Sequence, residues 1–132
     1  MSRSRWTLAI VAALSLGAAC SDDPTGGAPR AGPLTVRLTT PHTDDGAMTF
    51  EVSGAPIDSV VVGDGSLRLF TRSEGSTVVG VVVGALANGA VVRLYVPGTV
   101  AAAGYTARVL EVADRQDVLR ASLAGYALTV TR

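Results

Sequence analysis

His42 is the only histidine in the chain and lies in Pro41-His42-Thr43-Asp44-Asp45. Histidine beside carboxylates is a hydrolase grouping, in which the imidazole draws a proton from a serine and an aspartate orients the ring. No Gly-x-Ser-x-Gly elbow is present to supply that serine. His42 is therefore read as a turn residue in solvent, no catalytic residue is assigned, and the chain is expected not to be an enzyme. Carboxylates also gather at turn positions, and of these Asp44, Asp45, Asp114 and Asp117 are the calcium candidates. Calcium takes six to eight oxygens, which the converging loops of a sandwich can provide. The Asp-x-Asp-x-Asp-Gly spacing that would specify such a site is missing, and aspartate is equally a turn residue. The expectation is no metal and no other soluble cofactor.

A second constellation suits binding rather than catalysis. Arg68, Phe70 and Arg72 alternate with Leu67, Leu69 and Thr71, and Arg93 and Tyr95 alternate with Val92, Leu94 and Val96. In a strand each alternating set shares one face. If the two faces adjoin, they form an arginine and aromatic patch of the kind enriched at interface hot spots. The same residues could instead be a solvated face that guards a sheet edge.

Composition limits the chemistry further. All eleven basic residues are arginines, so Schiff-base and lysine-base mechanisms are excluded. From residue 20 onward nine arginines face eleven acids, a balance that gives no electrostatic reason to expect nucleic acid. The single cysteine rules out an internal disulfide, so any core must hold by packing. The only tryptophan, Trp6, lies near the start, which leaves the rest without the large aromatic platform that sugar binding favours.

The elements that would position these residues read as strands. Leu34, Val36 and Leu38 alternate with polar neighbours, as do Met48, Phe50 and Val52. Turn signals recur at Gly54-Ala55-Pro56, Asp64-Gly65, Glu74-Gly75, Asn88-Gly89, Pro97-Gly98 and Gly125. Between them run 57–62, 66–72, 77–85, 90–96, 105–112, 118–123 and 126–131, rich in valine, threonine, leucine and tyrosine. This rhythm predicts an all-β antiparallel β-sandwich of about eight or nine short strands, Greek-key or jelly-roll-like, over residues 34–132. Asn88-Gly89 predicts a tight type I′ hairpin. The charge-free run from Thr77 to Leu86 predicts a central strand covered on both faces. Thr99 to Ala103 could make one helical turn capped by Thr99. Short runs and few aromatics argue against a membrane-spanning barrel.

Two further stretches precede that domain. Residues 21–33 hold no large apolar side chain and read as a flexible tether that starts at Cys20. Before it, Arg3 and Arg5 lead into a charge-free apolar run from Trp6 to Leu16, followed by Gly17-Ala18-Ala19-Cys20. A basic start, a short apolar run and small residues make an export signal, and the run is short of the roughly 20 residues that a spanning helix needs. The stretch from Leu16 to Cys20 resembles the lipobox of bacterial lipoproteins. That resemblance implies removal of residues 1–19, lipidation of Cys20 by a covalent diacylglycerol, and attachment to a membrane through the lipid. In such proteins a serine directly after the cysteine, here Ser21, permits transfer to the outer membrane, so the expected location is the cell envelope, outer rather than inner membrane.

The run from Ser59 through Val96, with Leu86-Ala87-Asn88-Gly89-Ala90-Val91-Val92-Arg93-Leu94-Tyr95-Val96, then Val109 to Asp114 and a last strand ending at Val130, is distantly similar to cohesin-like and carbohydrate-binding-module-like sandwiches. Such domains typically bind a partner without catalysis. The sequence thus points to a non-catalytic binding or envelope-structural module whose partner is an envelope protein or a glycan. A small periplasmic or surface hydrolase or lyase, and a glycan-binding accessory module, are the alternatives.

Overall fold

The computed structural model describes residues 32–97 and 102–132. The expected signal 1–19, Cys20, tether residues 21–31 and the Thr99 cap lie outside the described residues, and Gly32 and Pro33, expected to end the tether, are instead part of the first strand, paired with Val96 and Tyr95. The chain forms β1 (Gly32–Thr39), β2 (Asp45–Gly54), β3 (Ser59–Val62), β4 (Arg68–Glu74), β5 (Thr77–Leu86), β6 (Gly89–Val96), a short 3₁₀ turn (Ala102–Gly104), β7 (Tyr105–Asp114) and β8 (Ala127–Thr131). One sheet has the order β3-β6-β1-β8 and the other β4-β5-β2-β7.

All pairings are antiparallel, and β1 pairs with β8, β2 with β7, β3 with β6 and β4 with β5. That nesting is a long antiparallel ribbon folded over on itself, the logic of a jelly roll. Additional pairs β1–β6 and β2–β5 join its halves into two four-stranded sheets. The expected sandwich is the fold observed.

The period of two explains the core. Leu34, Val36 and Leu38 of β1, Met48, Phe50 and Val52 of β2, and Val82 and Leu86 of β5 are buried, and they meet Leu94 and Val96 of β6 and Val112 of β7. Burying each such side chain contributes about 1.5–3 kcal/mol relative to leaving it exposed. A bulge in the β1–β6 ladder at Val36/Arg37 skips Val91, which lets Val91 and Val92 both be buried although they are neighbours in sequence.

Three local expectations are corrected. Asn88-Gly89 is not a hairpin, because β5 and β6 belong to different sheets. The Asn88 side chain instead accepts a hydrogen bond from the Thr40 N–H at 2.7 Å, tying the β5–β6 crossover to the end of β1. The tight hairpin is Gly75-Ser76 between β4 and β5, where Glu74 pairs with Thr77 and Gly75 has φ +64°, the positive value that the first central residue of a type II′ turn requires. β5 does lie inside its sheet, but only one of its faces is covered, and Val83 is 40% exposed. The run 118–123 is not a strand; a single bridge from Ala113 to Leu119 remains of it.

Gly80 shows how closely the core is fitted. It pairs with Phe50, whose ring lies so near that a Cβ on Gly80 would sit 2.6 Å from Phe50 Cζ. Gly80→Ala is accordingly expected to lower unfolding stability by about 1–3 kcal/mol through overpacking. Gly65→Ala, where a Cβ meets nothing within 4 Å, should change it by less than about 0.5 kcal/mol. Urea unfolding of the two variants beside the parent chain measures the contrast, and equal effects would contradict the account of Gly80.

Candidate functional site

The residues singled out for chemistry converge at one end of the sandwich, where β1 stops, β2 starts, β7 stops and the segment 115–126 leads into β8. Asp45 is the centre of this end, with no exposed surface. Its orientation follows from a register shift between Asp45 and Ala47 in both ladders of β2. Met48, Phe50 and Val52 face the core, so strict alternation would turn Asp45 outward; the irregularity at Gly46 turns it inward.

Every neighbour of the Asp45 carboxylate is a donor. Arg120 reaches Oδ1 through Nε at 3.0 Å and Nη2 at 2.8 Å. Tyr126 OH lies 2.8 Å from Oδ1 and 3.0 Å from Oδ2, and the Thr40 hydroxyl lies 2.6 Å from Oδ2. Arg120 Nη2 also contacts Asp44 Oδ1. Burial by itself would raise the Asp45 pKa, but the hydrogen bonds from Thr40, Arg120 and Tyr126 and the charge of Arg120 outweigh it and hold the carboxyl below its ordinary value. Hydrogen bonds to Asp45 and then Asp44 raise Arg120. Tyr126 is raised by burial first and then by its bond to Asp45.

This geometry takes Asp45 out of acid–base work. A general base needs access to substrate and a pKa near the working pH, whereas Asp45 is inaccessible and held ionised. His42 is exposed, and its ring stacks on Tyr126 with centroids 5.8 Å apart. Its backbone N–H donates to Thr40 Oγ1 at 3.1 Å.

The four calcium candidates are divided. Asp45 and Asp44 are turned to Arg120. Asp114 Oδ1 accepts from the backbone N–H groups of Gln116 at 2.8 Å and Val118 at 3.0 Å, closing a turn in which Asp117 takes φ +63°. Among the described residues no three His, Cys, Asp or Glu side chains are grouped to hold one ion. Beside this turn an open groove of about 440 Å³ runs over Gly46, Ala47, Val83, Gly84, Asp114 and Arg115.

The two halves of the expected recognition patch do not adjoin. Arg68, Phe70 and Arg72 lie on β4 of one sheet, Arg93 and Tyr95 on β6 of the other, and all five are exposed, so they occupy the outer surfaces of opposite layers. Phe70 is 62% exposed, and its register partner Val81 continues an apolar strip onto β5. Tyr95 is 41% exposed and pairs with Ser59 and Pro33.

Sequence reasoning missed Arg120, Tyr126 and Thr40. Their partner was visible only as a carboxylate in a turn signal; a buried carboxylate needs a cation, yet nothing local announces that the cation lies 75 residues away. At the opposite end of β7, Tyr105 is likewise buried, and its hydroxyl donates to the Pro56 carbonyl. Burial and then the charge of Asp58 raise its pKa.

No protein-family model, curated protein or solved structure matches this chain.

A carboxyl depressed in the folded state contributes stability that is present above its unfolded pKa and is lost as pH falls through the folded value. Asp45→Asn is expected to lower unfolding stability at neutral pH by about 2 kcal/mol. It should also flatten the acid limb below about pH 4, where the parent chain loses this contribution. Urea unfolding between neutral and strongly acidic pH checks both; parallel acid limbs for parent and variant would remove Asp45 from the explanation.

Proposed function

We propose that the chain is a lipid-anchored, non-catalytic binding or envelope-structural module. Cys20 carries a diacylglycerol, residues 21–31 form the tether, and the β-sandwich, which begins at Gly32, is the working part. The observation that carries this reading is the order Arg3, Arg5, the apolar run Trp6 to Leu16, and Gly17-Ala18-Ala19-Cys20. Together with Ser21, that order favours an exported protein held at the outer membrane of the envelope. A tether of this length reaches at most about 40 Å when fully extended, so the module works close to its membrane.

Several features support binding over catalysis. The chain has no lysine and one cysteine, which the lipid would occupy. His42 packs on Tyr126, and the one buried carboxylate is paired with arginine. What remains exposed on the described surface includes Arg68, Phe70 and Arg72 on one sheet and Arg93 and Tyr95 on the other. Arginine and aromatic side chains of this kind favour a protein partner in the envelope over a glycan, since sugar platforms rely on larger aromatic faces. The distant resemblance read from Ser59 to Val96, to cohesin-like and carbohydrate-binding-module-like sandwiches, implies binding without catalysis and does not choose between a protein and a glycan.

Intact mass and membrane fractionation of the chain expressed in a bacterium that processes lipoproteins test the anchor. The expected product begins at Cys20, carries acyl chains and sediments with membranes, while Cys20→Ala is neither acylated nor retained. A soluble, unacylated parent protein would overturn the reading.

A further inference from the structure

β4 ends its sheet, with a hydrogen-bonded neighbour on one side only among the described residues. Of the four strands at sheet ends it is the one most open to another strand. β3 and β8 span four and five residues. β7 carries a register shift against β2, and beyond its far end Leu119 bridges to Ala113 while the Arg120 N–H donates to the Val112 carbonyl. β4 runs for seven residues in unbroken register, and six of the seven are exposed.

The hairpin shows which backbone groups are free. A two-residue loop makes Glu74 and Thr77 the closing hydrogen-bonded pair, and in an antiparallel ladder such pairs alternate. Arg68, Phe70, Arg72 and Glu74 therefore direct their backbone N–H and C=O groups to β5. Leu69, Thr71 and Ser73 direct theirs outward, as an unused ladder.

From this we propose that β4 pairs antiparallel with β4 of a second copy of this chain, about a two-fold axis through Thr71. The side chains select that partner and that register. With the axis at Thr71, Arg68 lies opposite Glu74 of the second copy and Phe70 lies opposite Arg72, each contact occurring twice. These are non-hydrogen-bonded pairs, the positions where side chains approach most closely. Opposite charges meet, and a guanidinium meets an exposed aromatic face. Moving the axis by one same-face step to Phe70 sets Arg68 against Arg72, and moving it to Arg72 sets that arginine against itself. Of the same-face registers that pair at least five residues of β4, only the one at Thr71 is free of like-charge contacts. Within one chain Arg72 and Glu74 already form an ion pair, but at side-chain exposures of 76% and 62% it is open to water and free to exchange partners. The pairing joins two four-stranded sheets into one of eight strands and places Phe70 at the junction. It lies wholly within the sandwich domain, so its failure and the failure of the lipid-anchor reading are separate results.

The test uses the full chain purified in a mild detergent that keeps the apolar run near the start from associating. Sedimentation velocity is expected to show a concentration-dependent dimer. Arg68→Glu and Glu74→Arg alone should each weaken it by about tenfold or more, because two attractive contacts become repulsive, and the double reversal should restore it to within about threefold. In a Cys20→Ala background, Thr71→Cys should oxidise to a covalent dimer, since hydrogen-bonded cross-strand partners have Cα atoms about 5.5 Å apart, within disulfide reach. Ser73→Cys, opposite Leu69 of the second copy, should not. A chain that stays monomeric up to about 500 µM, single reversals that dimerise like the parent, or equal oxidation of the two cysteine variants would each overturn the proposal.

Discussion

Everything at one end of the sandwich depends on a single neutralised charge. Asp45 is removed from water entirely, and a buried carboxylate costs several kcal/mol unless donors replace its hydration. Arg120, Tyr126 and Thr40 supply those donors. Arg120 and Tyr126 come from the segment between β7 and β8, which has little regular structure of its own, so the ion pair holds that segment in place and sets up β8 beside β1. Thr40 links the same carboxylate, through its own backbone N–H, to Asn88 on the β5–β6 crossover. Three connections between the sheets, β1–β2, β5–β6 and β7–β8, are thereby tied to one acid. The far end of β7 is held by Tyr105, whose hydroxyl reaches the β2–β3 connection, and between the two ends the valine and leucine core supplies the apolar burial.

The same arrangement bears on the proposed binding role. Asp45 is used to join strands, and a paired carboxylate under an arginine has little capacity to move a proton. The exposed arginines and aromatics sit instead on the outer surfaces of both layers. Both surfaces lie clear of the core, so the proposed binding would not require its rearrangement.

The proposed anchor and the proposed edge pairing would reinforce each other physically. A single acyl chain holds a protein to a membrane only marginally, and added chains make the hold stable. Two tethered copies joined through β4 would share their anchors. Confinement to a membrane surface raises the effective concentration of one copy for another, so a pairing of modest strength becomes populated there.

The sequence by itself determined the class of the fold, because alternation of apolar and polar residues reports which face of a strand is buried and turn residues report where strands stop. Leu34, Val36 and Leu38, or Met48, Phe50 and Val52, are legible in this way without any knowledge of their neighbours. It also carried the order of basic, apolar and small residues that ends at Cys20, which is a local signal. Tertiary structure alone decided which strands share a sheet. Asn88-Gly89 has the local chemistry of a hairpin, yet the chain crosses there between layers, since the pairing of β5 with β2 and of β6 with β1 outweighs a turn preference. It also separated Arg68, Phe70 and Arg72 from Arg93 and Tyr95 and reversed the orientation of Asp45. A bulge changes the phase of a strand by one residue, and a charge pair across 75 residues leaves no periodic trace, so neither can be read from spacing along the chain.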